Sequence, residues 1–296
     1  MKFFAVMILL WLLCGTAQSN GAGLFVVNSA IKLTHWVDVI KDVAYGEQDW
    51  QRLNVYPQAS SAPVVLFIHG GGWYKGSKDQ YHFVADALVR RGYVVVIPDY
   101  IKYPEGRFPT FVQDVAQATA WVKQHIAEHG GNPAQLLLVG HSAGAHTGAL
   151  LATDASYLAQ VGMQPQELLG FVGLAGPYNF TPTYHQFVAT FGRENFAVML
   201  ANNHVNGDEP PILLLHGMDD KKVSRFNFDT FKNMLTRHQI PLQTALLPEV
   251  GHAEMVLKIH PWFADEVDVG ARIDAFVKTQ LNATQANASQ GASNGQ

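Results

Sequence analysis

A serine is a poor nucleophile at neutral pH unless a histidine can take its proton and a carboxylate can hold that histidine in one tautomer. Ser142 stands in a setting suited to that role. It lies within Gly140-His141-Ser142-Ala143-Gly144, after the apolar run 136–139 and ahead of the helix-like run 145–151. A strand that turns through Gly-x-Ser-x-Gly into a helix is a nucleophile elbow: the turn is strained, and the glycines leave room where strand and helix cross. The serine hydroxyl is then lifted above the sheet edge. The N–H of Ala143 points from the helix N-terminus toward whatever is bonded to Ser142, where the helix dipole favours negative charge. Glycine and serine are common residues, so the pattern is weak by itself and its partners must decide.

In a fold that carries such an elbow the order along the chain is serine, acid, histidine. The acid is expected after the strand that ends near Leu215, where His216-Gly217-Met218-Asp219-Asp220 offers two adjacent aspartates. The base is expected after the last strand, where Glu249-Val250-Gly251-His252 places His252 in a glycine-introduced loop. Thirteen histidines dilute any single choice. His252 is favoured because His260 precedes a proline and the others fall in helices or before the serine. A developing carbonyl oxyanion also needs preset N–H donors. His69-Gly70-Gly71-Gly72, directly after the apolar run 64–68, supplies them, since glycines let the backbone approach a substrate without a Cβ in the way.

Positioning these groups requires a sheet whose strand ends meet. Residues 37–44 and 52–56 alternate like a hairpin and predict an antiparallel edge. The unbroken apolar run 64–68 predicts a strand buried on both faces. Strands at 93–97, 136–139, 169–174, 211–215 and 242–247 then alternate with helices at 81–91, 111–129, 226–237 and 267–280, and a short amphipathic helix is expected at 23–34. Gly130-Gly131-Asn132-Pro133 is expected to terminate the long helix. Buried strands alternating with helices predict an α/β fold, a mostly parallel sheet covered on both faces. Between residues 178 and 209 the alternation lapses into Tyr178, Phe180, Tyr184, Phe187, Phe191 and Phe196 with few charges, which predicts either a small lid over the site or aromatic padding of the core.

The chain has 296 residues, 48% of them hydrophobic and 15% charged, with a net charge of −4, and predicts one catalytic domain at 18–281. No run of Lys or Arg marks a nucleic-acid or anionic-lipid partner. Lys2, the apolar block 3–13 and the small residues Cys14-Gly15-Thr16-Ala17 read as a secretory signal peptide cleaved after Ala17. Its apolar block is too short for a comfortable membrane span. The single cysteine, Cys14, follows the bulky Leu13, which argues against lipidation. A mature chain without cysteine fits a bacterial periplasm or medium, so the sequons at Asn179, Asn282 and Asn287 are read as chance. The Asn/Ala/Gln/Ser/Gly tail at 282–296 has little apolar content and is expected to be disordered.

From about Val39 to Phe276 these motifs resemble the α/β-hydrolase fold. Within it they resemble the esterases related to hormone-sensitive lipase and the bacterial carboxylesterases that neighbour kynurenine formamidases. His69-Gly70-Gly71-Gly72-Trp73 with Gly76-Ser77-Lys78 resembles that family's oxyanion loop, and Pro98-Asp99-Tyr100 through Phe108-Pro109 and Asp114 its strand-to-helix connection. The resemblance implies a triad of Ser142, Asp220 and His252, with Gly71, Gly72 and Ala143 as oxyanion donors. It implies a serine hydrolase, a carboxylesterase with no metal or organic cofactor, and the modest lid and uninterrupted glycine loop predict small esters of short to medium acyl length. Aryl-formamidase or other amidase activity, or an inactive hydrolase fold used for binding, are the alternatives. Ile101 stands where many relatives carry arginine, and Asn179 where relatives often carry aspartate.

Overall fold

The computed structural model describes residues 26–31 and 37–293. The expected signal segment, its cleavage point at Ala17 and the lone Cys14 lie outside the described residues. Residues 26–31 form a helical turn pair whose Val27, Asn28 and Ile31 are buried, as an amphipathic pattern requires.

Among the described residues, eight strands form one sheet: β1 (Ile40–Ala44), β2 (Arg52–Tyr56), β3 (Ala62–Ile68), β4 (Val94–Pro98), β5 (Gly131–His141), β6 (Gly170–Leu174), β7 (Ile212–Gly217) and β8 (Leu242–Leu247). Their order in space is β1-β2-β4-β3-β5-β6-β7-β8. β1 with β2 and β2 with β4 pair antiparallel, and every other pair is parallel. Successive strand residues point to opposite faces. Val64, Leu66 and Ile68 therefore enter one core with Leu136 and Leu138, while Val65 and Phe67 enter a second core with Leu137 and Val139. Burial on both faces explains the unbroken apolar runs. The edge strands β1 and β8 are the exceptions: Ile40, Lys41 and Asp42 of β1 and Gln243 and Thr244 of β8 are exposed.

The helices are α1 (His82–Val89), α2 (Thr110–His125), α3 (Ala143–Thr153), α4 (Ala155–Ala159), α5 (His185–Phe191), α6 (Arg225–Arg237), α7 (His252–Leu257) and α8 (Val269–Ser293). All residues of α3 are buried, which fits its lack of any polar face. α6 buries Asn227, Phe228, Phe231 and Leu235, and α8 buries Val269, Ile273, Phe276 and Val277, each at helical spacing. No helix among the described residues is long and apolar enough to cross a membrane.

The structure corrects two boundaries. Only Gly130 ends the helical segment after α2: it takes φ 79°, and a Cβ there would overlap the Gln58 carbonyl. Gly131 already pairs with Ala62, so β5 starts where a longer terminator was expected. The closing helix, expected at 267–280, runs on to Ser293 as α8. Extending an existing helix needs no new nucleus, and this stretch holds no proline, so exposed residues at 282–286 can prolong it without packing.

Residues 178–209 contain α5 and two single turns at Arg193–Asn195 and Ala201–Asn203. The aromatic residues of this segment differ in burial. Tyr178 is buried and stacks on Phe231 at 4.6 Å, and buried Phe191 lies 4.8 Å from the Trp73 ring. Phe187 is only half-buried, and Tyr184 is 74% exposed.

Candidate active site

Parallel registry brings the loops together. Ile68 pairs with Gly140, His141 with Leu174, Leu174 with Leu215 and Gly217 with Leu247, so β3, β5, β6, β7 and β8 end at one edge. In open α/β sheets the carboxyl edge is where ligands bind.

At that edge Ser142 links β5 to α3 with φ 56° and ψ −121°, its N–H bonded to the Leu174 carbonyl at 2.9 Å. A Cβ at Gly140 would overlap the Gly144 carbonyl, and one at Gly144 would overlap the Ile68 carbonyl. Here the elbow glycines are required by close backbone approach. His252 opens α7 behind Gly251. Its loop presses on the acid loop: the Asp219 N–H donates to the Val250 carbonyl at 3.1 Å, and Gly217 has no room for a Cβ beside that same carbonyl.

These loops set Ser142 Oγ 2.9 Å from His252 Nε2, and His252 Nδ1 2.7 Å from Asp220 Oδ2. A carboxylate only accepts, so Nδ1 carries the proton and Nε2 is left to accept from the serine hydroxyl. Asp220 Oδ1 accepts the N–H groups of Lys222 and Val223 at 2.8 and 2.9 Å. Burial of the Asp220 side chain pushes its pKa up, but the His252 bond and the two backbone donors outweigh this and hold it below the usual carboxylate range. Asp219 is exposed on the solvent side of the same turn.

The loop after β3 is shaped by Gly71 at φ 133° and Gly72 at φ 62°; a Cβ at Gly71 would overlap the Lys75 carbonyl. Among the described residues, the N–H groups of Gly71, Gly72 and Ala143 have no protein acceptor. The loop's root is clamped. The buried His69 ring stacks against Tyr100 at 4.5 Å and Tyr81 at 5.7 Å, and Tyr100 donates its hydroxyl to the His69 carbonyl at 2.8 Å. Asp99 accepts the Lys78 N–H at 3.0 Å, tying the far end of the loop to β4. Phe187 of α5 comes within contact distance of Gly72, 3.6 Å from where its Cβ would stand.

The motifs did not disclose the tyrosine clamp, which joins residues far apart in sequence, nor the buried histidines. His146 sits one turn beyond Ser142 with its Nε2–H donating to the Met199 carbonyl at 2.7 Å, and so ties segment 178–209 to α3. Asn179 donates its N–H to Asn227 Oδ1 of α6 at 2.9 Å, and Ile101 is buried with its N–H on Asp114 at 2.8 Å. A surface cavity of about 480 Å³, lined in part by Tyr45, Gln117, Trp121 and His125, borders no residue of this cluster.

Burial, with the neighbouring His252 as a further cause, drives His141 from 6.5 down to about 3, and burial drives His146 down to about 4. An unfolded chain takes up these protons below about pH 6.5; the native state refuses them until pH falls through 4 and 3. Stability present in full above pH 6.5 should therefore fall on acidification, by about 1.4 kcal/mol per pH unit for each histidine. The urea midpoint is expected to drop between pH 6.5 and 4, and His146→Gln to flatten that slope by about one proton. A midpoint that does not move over this range would contradict neutral burial.

Comparisons with known proteins agree with this fold. Solved structures share the fold at low sequence identity. Esterase B from Lactobacillus Rhamnosis superposes with a TM-score of 0.72 at 18% identity, covering 93% of this chain and 98% of that one. A truncated carbohydrate esterase from gut microbiota gives 0.68 at 18% identity, covering 83% and 97%. In sequence, the probable carboxylic ester hydrolase LipM of Mycobacterium tuberculosis is 30% identical over 239 residues, 72% of this chain and 55% of the relative. A probable isoprenylcysteine alpha-carbonyl methylesterase of Arabidopsis thaliana is 27% identical over 247 residues, 74% and 52%. Kynurenine formamidase of Danio rerio is 36% identical over 153 residues, 50% of each chain. The chain thus spans little more than half the length of the curated relatives it matches. The BD-FAE family model matches residues 53–235, more than half of the chain. The fold, the clustered loops and that match together place the chain in the BD-FAE family.

Proposed function

We propose that this protein is a serine hydrolase that cleaves carboxylic esters of short to medium acyl length through an acyl-enzyme. The observation that carries this reading is the unbroken series Ser142 Oγ, His252 Nε2, His252 Nδ1, Asp220 Oδ2, with spacings of 2.9 and 2.7 Å, at the foot of a loop with unused N–H donors. Ser142 attacks the ester carbonyl as its proton passes to His252. Gly71, Gly72 and Ala143 donate N–H groups to the oxyanion. Collapse of the tetrahedral intermediate breaks the bond to the alcohol, which leaves with the proton from His252. Water, deprotonated by the same histidine, then releases the acid and restores Ser142. Asp220 orients the base and stabilises it when charged. The sequence closes without a metal or organic cofactor.

The names of relatives, a carboxylic ester hydrolase and a methylesterase among them, support ester chemistry. The likeness to kynurenine formamidase favours a second reading, an aryl-formamidase that runs the same steps on an N-formyl amide. The acyl range follows from the cover: Phe187 lies against the oxyanion loop, and Trp73, Phe180 and Phe191 fill the space beside it, with Trp73 and Phe180 stacked at 5.8 Å. Rates on 4-nitrophenyl esters from acetyl to palmitoyl, run beside an N-formyl aryl amide and emulsified triglyceride, test both readings. Turnover should peak among the shorter soluble esters and exceed the formamide by about tenfold or more, since a pocket built for one leaving group discriminates by that order. Faster cleavage of the formamide would move the assignment to the second reading. A preference for the emulsion would overturn the acyl range.

A further inference from the structure

The residue before the nucleophile carries more than spacing. His141 ends β5, is 5% exposed, and has its Nε2 2.9 Å from the main-chain carbonyl oxygen of His252. A carbonyl only accepts, so Nε2 carries the hydrogen and Nδ1 holds a lone pair. That Nδ1 is buried and has no partner, and it faces Gly70 of the oxyanion loop, 3.2 Å from where a Cβ of Gly70 would stand. The His141 and His252 rings lie 4.9 Å apart at 41°. The imidazole is thus wedged between the root of the oxyanion loop and the backbone of the base.

An unpartnered nitrogen in a buried ring is costly, and an apolar side chain of similar size would fill the same space without it. What an apolar side chain cannot supply is the N–H on the His252 carbonyl. That carbonyl belongs to the residue whose ring must stay aligned with both Ser142 and Asp220, in a helix of only six residues. Burial keeps His141 uncharged over the working pH range, so the donor is constant.

We propose that His141 is a positioning residue for the base. Its Nε2–H holds the main chain of His252, and its ring spaces that chain from the oxyanion loop, so that the imidazole remains within reach of Ser142. This rests on the assignment of Ser142, His252 and Asp220 made above.

The test compares His141→Met, which keeps bulk and loses the donor, with His141→Gln, whose side-chain amide can present an N–H near the same point. The full chain is used. The readings are kcat and KM on a short soluble ester, the second-order rate of Ser142 labelling by a fluorophosphonate, and the melting temperature. Misplacing a catalytic group by about an ångström costs on the order of 10² in rate. His141→Met is accordingly expected to lower kcat and the labelling rate by about ten- to a hundredfold with KM changed less than about threefold, and His141→Gln to return both to within about threefold of the parent. The two variants should melt at similar temperatures. If His141→Met does not fold, His141→Asn, too short to reach the carbonyl, takes its place. Parent-like kcat in the donor-free variant overturns the proposal, as does His141→Gln proving as slow as His141→Met at equal melting temperature, or a loss confined to KM. Failure of the underlying assignment looks different: the parent itself would not be labelled at Ser142.

Discussion

Ser142→Ala is expected to abolish covalent labelling by a fluorophosphonate and to lower kcat on a short soluble ester by about 10⁴- to 10⁶-fold, the range found when a triad serine is removed. Under the proposed mechanism the residual rate would belong to the N–H groups of Gly71, Gly72 and Ala143, stabilising a tetrahedral intermediate formed by water. Folding should be unaffected, for a reason specific to this turn. Ser142 sits at φ 56° and ψ −121°, a region that is strained for any residue with a Cβ. Alanine keeps the Cβ, so it inherits the strain without adding to it. The close approaches at the crossing are made by Gly140 and Gly144 and remain as they are. The checks are mass spectrometry of the labelled protein, steady-state kinetics and a melting curve. Labelling retained in the alanine variant would reject Ser142 as nucleophile. A melting temperature lowered by many degrees would show that the hydroxyl is part of the elbow's architecture.

Glycine spacing made this elbow legible. A Cβ at Gly140 or Gly144 would overlap backbone, and backbone clashes leave a mark on the sequence that side-chain packing does not. The strand runs were legible for a similar reason: a residue buried in either of two cores must be apolar at every position, so no polar alternation interrupts 64–68 or 136–139. Contacts set by registry could not be read in this way. His141 reaches the carbonyl of a residue 111 positions later only because β5 and β8 both end at the same edge of the sheet. The Tyr81 and Tyr100 rings close on His69 because β4 lies beside β3 in space although a helix separates them in sequence. The cover was ambiguous because its aromatics divide: Tyr178 belongs to the core, whereas Phe187 meets the oxyanion loop.

Asp219 and Asp220 separate two readings of the acid loop, and their variants should differ by orders of magnitude. Asp220 has no exposed side-chain surface; one oxygen takes the His252 Nδ1–H, and the other takes the backbone N–H groups of Lys222 and Val223. Asn at this position keeps the shape but presents an amide. If its oxygen faces His252, its NH₂ group must face two backbone donors, which repels. If it turns, the NH₂ faces Nδ1 and stabilises the tautomer with the proton on Nε2, which cannot accept from Ser142. The backbone donors favour the second orientation, and that orientation disables the base. Asp220→Asn should therefore lower kcat by on the order of 10² to 10⁴, with the upper figure set by the serine-protease precedent. Asp219, exposed one residue earlier, uses its backbone N–H on Val250 to join the two loops and leaves its carboxylate in solvent. Asp219→Asn keeps that N–H, so kcat should change by less than about tenfold, the scale of a surface charge acting through water. Both constants are to be measured on one soluble ester at a pH where the parent rate is flat. Adding acid stability to the comparison sharpens it. The Asp220 carboxyl is held below its ordinary pKa, so its contribution is present above the unfolded value near 3.8 and is lost as pH falls through the lower folded value. Asp220→Asn should therefore melt lower than the parent at neutral pH and approach it below that window, whereas Asp219→Asn should track the parent throughout. A larger kinetic loss in Asp219→Asn would move the acid back one residue and require the loop after β7 to pack differently from the geometry described.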